Sequence, residues 1–179
     1  MLVDVSLMLL HMAASLFGGV LLLRVYMKRL RISAHNPISQ FAHALTEWAV
    51  RPLRVLLPRA AGWDWAALLG ALIVALLFLA LADAITGRSA LTWPWFVPLA
   101  LVLMVRWALY IAVTLVFAYA LISLINPHAP LAPTFDLLTR PLLAPFRRIL
   151  PTVGGFDLSP IVLIVLIQVL LLVIERTGL

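Results

Sequence analysis

The sequence predicts an all-α membrane protein with four transmembrane helices, arranged as two parallel repeats of helix, amphipathic segment and helix. Three observations predict it. Hydrophobic residues fill 65% of the 179 positions, charged residues only 11%, and mean hydropathy is +1.14; a soluble domain needs roughly a quarter of its residues charged to cover its surface. Four apolar runs reach, or nearly reach, the length that crosses a hydrocarbon core of about 30 Å at helical rise. Two turn-rich basic segments repeat one another. The chain has no cysteine, which excludes disulfides, thiolate metal sites, iron–sulfur ligation and covalent haem attachment. The net charge of +6 could suit nucleic acid, but the basic residues border apolar runs. They read as cytoplasmic-side anchors facing anionic lipid headgroups, and no nucleic-acid partner is expected.

The first apolar run, about 5–26, follows Asp4 and ends among Arg24, Lys28, Arg29 and Arg31. Its positive charge comes after the apolar stretch and no small-residue cleavage site follows, so it is a retained span and not a secretory signal. The second run, 65–82, stops at Asp83. The third, 95–125, contains Arg106 and has its span at about 97–125. The fourth, about 158–174, is close to the shortest helix that crosses. The first connection holds Lys28, Arg29, Arg31, Arg51, Arg54 and Arg59 against Glu47 and Asp64. The third holds Arg140, Arg147 and Arg148 against Asp136 and Asp157, while the second has Arg88 against Asp83. By the positive-inside rule, connections one and three are cytoplasmic and both termini lie outside. Trp93 and Trp95 then fall at the outer interface.

The two basic connections are copies at an offset of 93 residues. Pro52-Leu-Arg54-Val-Leu-Leu-Pro58 lies over Pro145-Phe-Arg147-Arg-Ile-Leu-Pro151, Gly62-Trp-Asp64 over Gly155-Phe-Asp157, and Thr46 over Thr139. Asn36-Pro37 recurs as Asn126-Pro127 if the second copy carries three extra residues. Spaced, polar, turn-rich identity of this kind is a duplication and not chance apolar similarity. The repeats are 1–90 and 91–179, and because each contains two spans, both enter the membrane from the same side.

Within the basic segments, Phe41, Leu45, Trp48 and Leu56 share one helical face, and His43, Glu47, Arg51 and Arg54 another. The second copy sets Phe135, Leu138, Leu142 and Ile149 against Asp136, Arg140 and Arg147. Two arrangements fit: helices lying in the headgroup layer with Arg51, Arg54, Arg140, Arg147 and Arg148 toward lipid phosphates or a protein partner, or hairpins packed on their own spans. Pro52, Pro141 and Pro145 are expected to break or kink these helices. Gly62, Gly154 and Gly155 permit tight reversals, and Asp64 and Asp157 are placed to cap the following spans, with Ser159-Pro160 as a second cap and first-turn proline. An anion held at those helix starts is the alternative.

Asn36-Pro-Ile-Ser-Gln-Phe41, Pro52-Leu-Arg-Val-Leu-Leu-Pro58 and Arg140-Pro-Leu-Leu-Ala-Pro-Phe-Arg-Arg-Ile-Leu-Pro151, followed by Gly154-Gly-Phe-Asp-Leu-Ser-Pro160, closely resemble the duplicated signature of the YggT (YlmG) family. The resemblance covers nearly the whole chain. It implies a small, multi-pass protein of the bacterial inner (cytoplasmic) membrane, from a family associated with cell-division gene neighbourhoods, osmotic stress and ion homeostasis, and with cytochrome assembly and nucleoid distribution in plastids. It implies no enzymatic activity. The first repeat departs from the pattern: Ala60-Ala61-Gly62-Trp63 replaces a double glycine and Ala66-Ala67 replaces Ser-Pro.

Three polar residues fall inside spans. Arg106, some 16 Å past Trp95 at helical rise, reads either as a contact in the bundle interior or as evidence that 93–106 is a re-entrant piece. His11 reads as a hydrogen-bonded interior histidine, since a haem held between helices needs a second histidine at matching depth and no other span has one. Gln168 reads as an interhelical hydrogen-bond donor. Ala14 with Gly18, Ser15 with Gly19, Ala66 with Gly70, Ala71 with Ala75 and Ala108 with Ala112 permit close helix approach. No phosphate-binding glycine loop, no H-E-x-x-H and no intramembrane carboxylate pair is present. The expectation is a non-enzymatic adaptor or assembly factor without a cofactor, docking anionic lipid and a protein partner, with self-association open. The alternative is an ion or osmolyte channel component.

Overall fold

The computed structural model describes residues 1–57, 62–87, 93–149 and 157–176. They form six helices: α1 (Leu2–Arg29), α2 (Pro37–Leu56), α3 (Trp65–Thr86), α4 (Trp93–Ile125), α5 (Ala132–Arg147) and α6 (Ser159–Arg176). There is no strand among the described residues. Helices α1, α3, α4 and α6 are long and apolar enough to cross a membrane, and only 11–28% of each span's apolar core is buried within the chain, so most of that surface is left for lipid. This is a multi-pass membrane protein.

The helix ends are written in the sequence. Asn36 accepts from the Ile38 N–H at 3.0 Å with Pro37 in the first turn of α2, and Asp64 caps α3 through the Ala67 N–H. Gly87, at φ 61°, closes α3 with its N–H on the Asp83 carbonyl. The second Asn-Pro acts differently. Asn126 accepts from the His128 N–H at 3.1 Å, an Asx turn, and α5 starts only at Ala132, which is where the three extra residues go. Pro58, Pro151, Gly154 and Gly155 lie outside the described residues.

The chain forms two compact units, Met1–Ala108 and Leu109–Leu179. In the first, α1 and α3 approach closely because their facing positions are small. Ala14 and Gly18 on α1, and Ala66, Gly70, Ala71 and Ala75 on α3, are buried around Leu21 and Val25. In lipid such contacts stabilise by close packing and dispersion rather than by removing apolar surface from water. The Trp107 ring packs directly against Gly18, where no side chain intervenes. Helix α2 lies on this pair through a narrow stripe of Ser39, Ala42, Thr46 and Val50, all buried. Its opposite face, carrying Phe41, Leu45, Trp48 and Val55, is exposed.

In the second unit, Val116 of α4, Leu143 of α5 and Leu163, Ile167 and Leu171 of α6 form the core. Here Leu138 is fully buried and Leu142 packs on the core, so the predicted apolar face of α5 turns inward and leaves Ile149 exposed. The copies therefore differ: the hairpin arrangement describes α5, whereas α2 keeps an unburied aromatic face. The expected proline breaks are corrected. Helices α2 and α5 run unbroken through Pro52, Pro141 and Pro145, because each proline sits on an exposed face where the carbonyl it leaves unpaired is not enclosed. Residues 93–106 belong to one continuous 33-residue helix, with Arg106 half-buried along it, and not to a re-entrant piece. Gln168 is exposed on α6, outside the face that Leu163, Ile167 and Leu171 turn into the second unit's core.

Candidate functional site

Each unit gathers the charges of its basic segment into an internal cluster. In the first, Arg24 is buried to 1% exposure near the end of α1. A guanidinium enclosed there needs both hydrogen-bond partners and compensating charge, and three of its nitrogens meet them. Nε donates to Asp64 Oδ2 at 3.1 Å, Nη1 donates to Thr46 Oγ1 at 3.0 Å, and Nη2 lies 2.9 Å from Glu47 Oε2 as an ion contact. The Thr46 hydroxyl in turn donates a hydrogen bond to the Ala42 carbonyl. Arg54 then binds Glu47 Oε1 at 2.7 Å and stands 3.9 Å from Asp64 Oδ2, while His43 Nδ1 is 3.5 Å from Glu47. Two arginines and two carboxylates thus tie the ends of α1, α2 and α3 together with no net charge.

The second unit repeats the logic with other residues. Arg147, the copy of Arg54, donates from Nε to Asp157 Oδ2 at 2.8 Å and from Nη2 to the Tyr119 hydroxyl at 2.8 Å, with its guanidinium also 5.5 Å from the Tyr119 ring centre. Asp157 Oδ1 accepts from the Ser159 N–H at the start of α6. Asp136 and Arg140 replace His43 and Glu47 with the charge order reversed, and pair at 3.0 Å. Asp136 also stands 3.9 Å from Arg147, so two arginines again meet two carboxylates, with Arg140 in place of an arginine from the preceding span.

Burial would raise the carboxyl groups of Glu47, Asp64 and Asp157, but Arg24 and its neighbours outweigh it at Glu47 and Asp64, and hydrogen bonds from Ser159 and Arg147 outweigh it at Asp157, holding all three below their ordinary range. Burial would likewise lower Arg147, and its contacts with Asp157 and Tyr119 raise it instead. A lowered carboxylate contributes stability above its unfolded value and loses it as pH falls through the folded value. The melting temperature is therefore expected to be flat from about pH 8 to 5 and to fall below about pH 4, with Asp64→Asn reducing the acid-dependent part. A pH-independent melting curve would contradict the paired assignment.

Among the predicted lipid- or partner-binding arginines, Arg54 and Arg147 are thus engaged inside the chain, Arg140 is exposed beside Asp136, and Arg51 and Arg148 are exposed with no ion pair among the described residues. His11 meets Phe78 edge-on, ring centres 5.5 Å apart. Tyr119 was not singled out from the sequence, and Arg24, Glu47, Lys28, Arg29, Trp63 and Trp65 entered only as flanking charges, face residues, motif positions or a span boundary and not as site residues. Arg29 stacks 5.7 Å over Trp63, whose ring centre is 6.2 Å from that of Trp65. Arg31 sits at φ 55° just past the end of α1, a left-handed position that glycine fills at about 1–2 kcal/mol less cost. A basic residue is kept there at the expense of local stability.

The family model described as CCB3/YggT matches residues 3–85 and again 98–177. The chain is 32% identical to the uncharacterised protein YggT of Escherichia coli K12 over 176 residues, which cover 95% of this chain and 91% of that one. It is 30% identical to an uncharacterised protein encoded in the proC 3′ region of Vibrio alginolyticus, covering 86% of this chain and 84% of the relative. It is also 30% identical to the uncharacterised protein PA0392 of Pseudomonas aeruginosa, covering 86% and 79%. No solved structure matches. Two family segments, each with two spans and an intervening charged helix, make the chain a member of the CCB3/YggT family.

Proposed function

We propose that the protein is a non-enzymatic adaptor or assembly factor of the bacterial inner membrane, serving envelope assembly, division or osmotic homeostasis by holding a protein partner at the lipid surface. One observation carries this reading. Once Arg24 and Arg54 are neutralised by Glu47 and Asp64, the first unit still presents Lys28, Arg29, Arg31 and Arg51, all exposed, beside the exposed indoles of Trp48, Trp63 and Trp65. Exposed cations flanked by interfacial aromatic rings favour the cytoplasmic leaflet, and cations without internal partners are available to acidic ones. Arg148 of the second unit is likewise exposed, with no ion pair among the described residues.

Charge reversal at Arg51 and Arg148 together is expected to reduce co-purification of the partner with the full-length chain while leaving insertion and melting temperature unchanged. Unchanged co-purification contradicts the reading. Arg54 and Arg147 are unsuitable for this experiment because their loss breaks the internal clusters. The topology is checked separately, using the absence of native cysteine. Single cysteines replacing Ser33 and His128 should react with a membrane-impermeant reagent in inside-out vesicles and not in intact spheroplasts. The opposite pattern would place both termini in the cytoplasm.

A further inference from the structure

At the basic end of the first unit lies a cavity of about 180 Å³, lined by Lys28 from the last turn of α1, Arg54 from α2, and Trp63, Asp64 and Trp65 at the start of α3. It is smaller than the roughly 300 Å³ at which sites for whole small molecules begin, and suits a single headgroup fragment. Its charges do not cancel. Asp64 is enclosed and both its oxygens are engaged, Oδ2 by Arg24 and Oδ1 by the Ala67 N–H, while Arg54 is matched by Glu47. Lys28 is exposed and makes no ion pair among the described residues, its charge acting on the already paired Asp64 only through space, and Arg29 stacks on Trp63. The wall therefore offers positive charge to an anion. The first-turn N–H groups of α3 at Trp65 and Ala66 have no acceptor within the helix and add to it.

The cavity is also placed where a phosphate comes attached to acyl chains. The apolar span of α3 begins at Trp65 itself, so the opening sits at the depth of the interface. Trp63 and Trp65 are 43% and 44% exposed, a large apolar area to leave beside a site for a freely dissolved ion. We infer that this cavity binds the phosphate of an anionic phospholipid headgroup, with Lys28 supplying the uncompensated charge and the two indoles flanking the glycerol region. The inference rests on the lipid-docking half of the function proposed above and assigns it to one pocket in place of a diffuse basic surface.

The test is native mass spectrometry of the full-length chain, stripped of lipid in detergent and titrated with dioctanoyl phosphatidylglycerol, dioctanoyl phosphatidylcholine or inorganic phosphate. The expected result is one-to-one binding of phosphatidylglycerol in preference to phosphatidylcholine. Lys28→Gln should weaken that binding about fivefold, the effect of one basic residue at an anionic surface. Arg176→Gln, which removes the same charge from the end of α6, should leave it unchanged. Lys28 is exposed, and an unaltered melting temperature shows that the variant folds. Wild-type affinity in Lys28→Gln, equal weakening by Arg176→Gln, or displacement of the lipid by inorganic phosphate would each overturn the pocket assignment. A wild-type chain without preference for the anionic lipid would instead remove the lipid-docking reading itself, and the inference with it.

Discussion

Replacing Arg24 with methionine is expected to destabilise the protein by about 3–5 kcal/mol, the usual cost of removing one partner from a buried ion pair. Methionine has similar length and suits an apolar site, so the loss reflects electrostatics and not a cavity. Without the guanidinium, Asp64 stays enclosed with a charge answered only in part by Arg54 at 3.9 Å, the Ala67 N–H and the more distant Lys28. Thr46, fully buried, also loses the donor to its hydroxyl oxygen. Arg24→Lys should recover only part of the stability, because an ammonium cannot present a planar fork to acceptors on two different helices. Combining Arg24→Met with Asp64→Asn should cost less than the sum of the single changes, since the second removes the charge stranded by the first. Thermal unfolding in detergent followed by circular dichroism reads all of these. An Arg24→Met variant as stable as its parent would show that the cluster does not hold the three helices.

Substitution of Gly18 is expected to be nearly as damaging. A Cβ built on this residue would clash with two carbons of the six-membered ring of Trp107. The ring cannot swing aside, because Trp107 is 1% exposed and enclosed by the first unit's core. Either α1 shifts or the indole leaves its position, and overpacking of this kind costs about 1–3 kcal/mol even for an added methyl. Gly18→Ala should therefore lower the melting temperature, and Gly18→Leu should prevent stable folding. In a Trp107→Leu background, itself destabilised by lost packing, Gly18→Ala should become close to neutral. The same cost with and without Trp107 would mean that glycine is needed at this position for another reason.

Much of this architecture was legible because the sequence states it twice. Asn36, Pro37, Asp64 and Thr46 were recognisable through their copies, and the structure gives the first three capping roles that follow from their chemistry. The four spans were legible from hydropathy alone. What was missed arises where the copies diverge. Arg24 has no charged counterpart on α4, so comparing the copies could not reveal it; yet it is the only formally charged residue within the run 5–26, and an ionisable group in such a run requires a partner. Pairing it with Asp64, forty residues away, depended on how α2 packs across α1 and α3, which periodicity does not specify. The inward turn of α5 was hidden for a related reason: helical periodicity identifies an apolar face but not whether protein or lipid covers it. The prolines misled because their cost depends on whether the orphaned carbonyl is enclosed, a property of packing and not of sequence.

The exposed arginines are where the functional account is most open to refutation. Photo-crosslinking probes placed at residues 51 and 148 of the full-length protein in native membranes, followed by identification of the products, test it most directly. The account predicts that both positions capture the same defined second protein, and that a probe at the lipid-facing residue Val165 on α6 does not. Products containing only lipid, or only further copies of this chain, would contradict the adaptor reading.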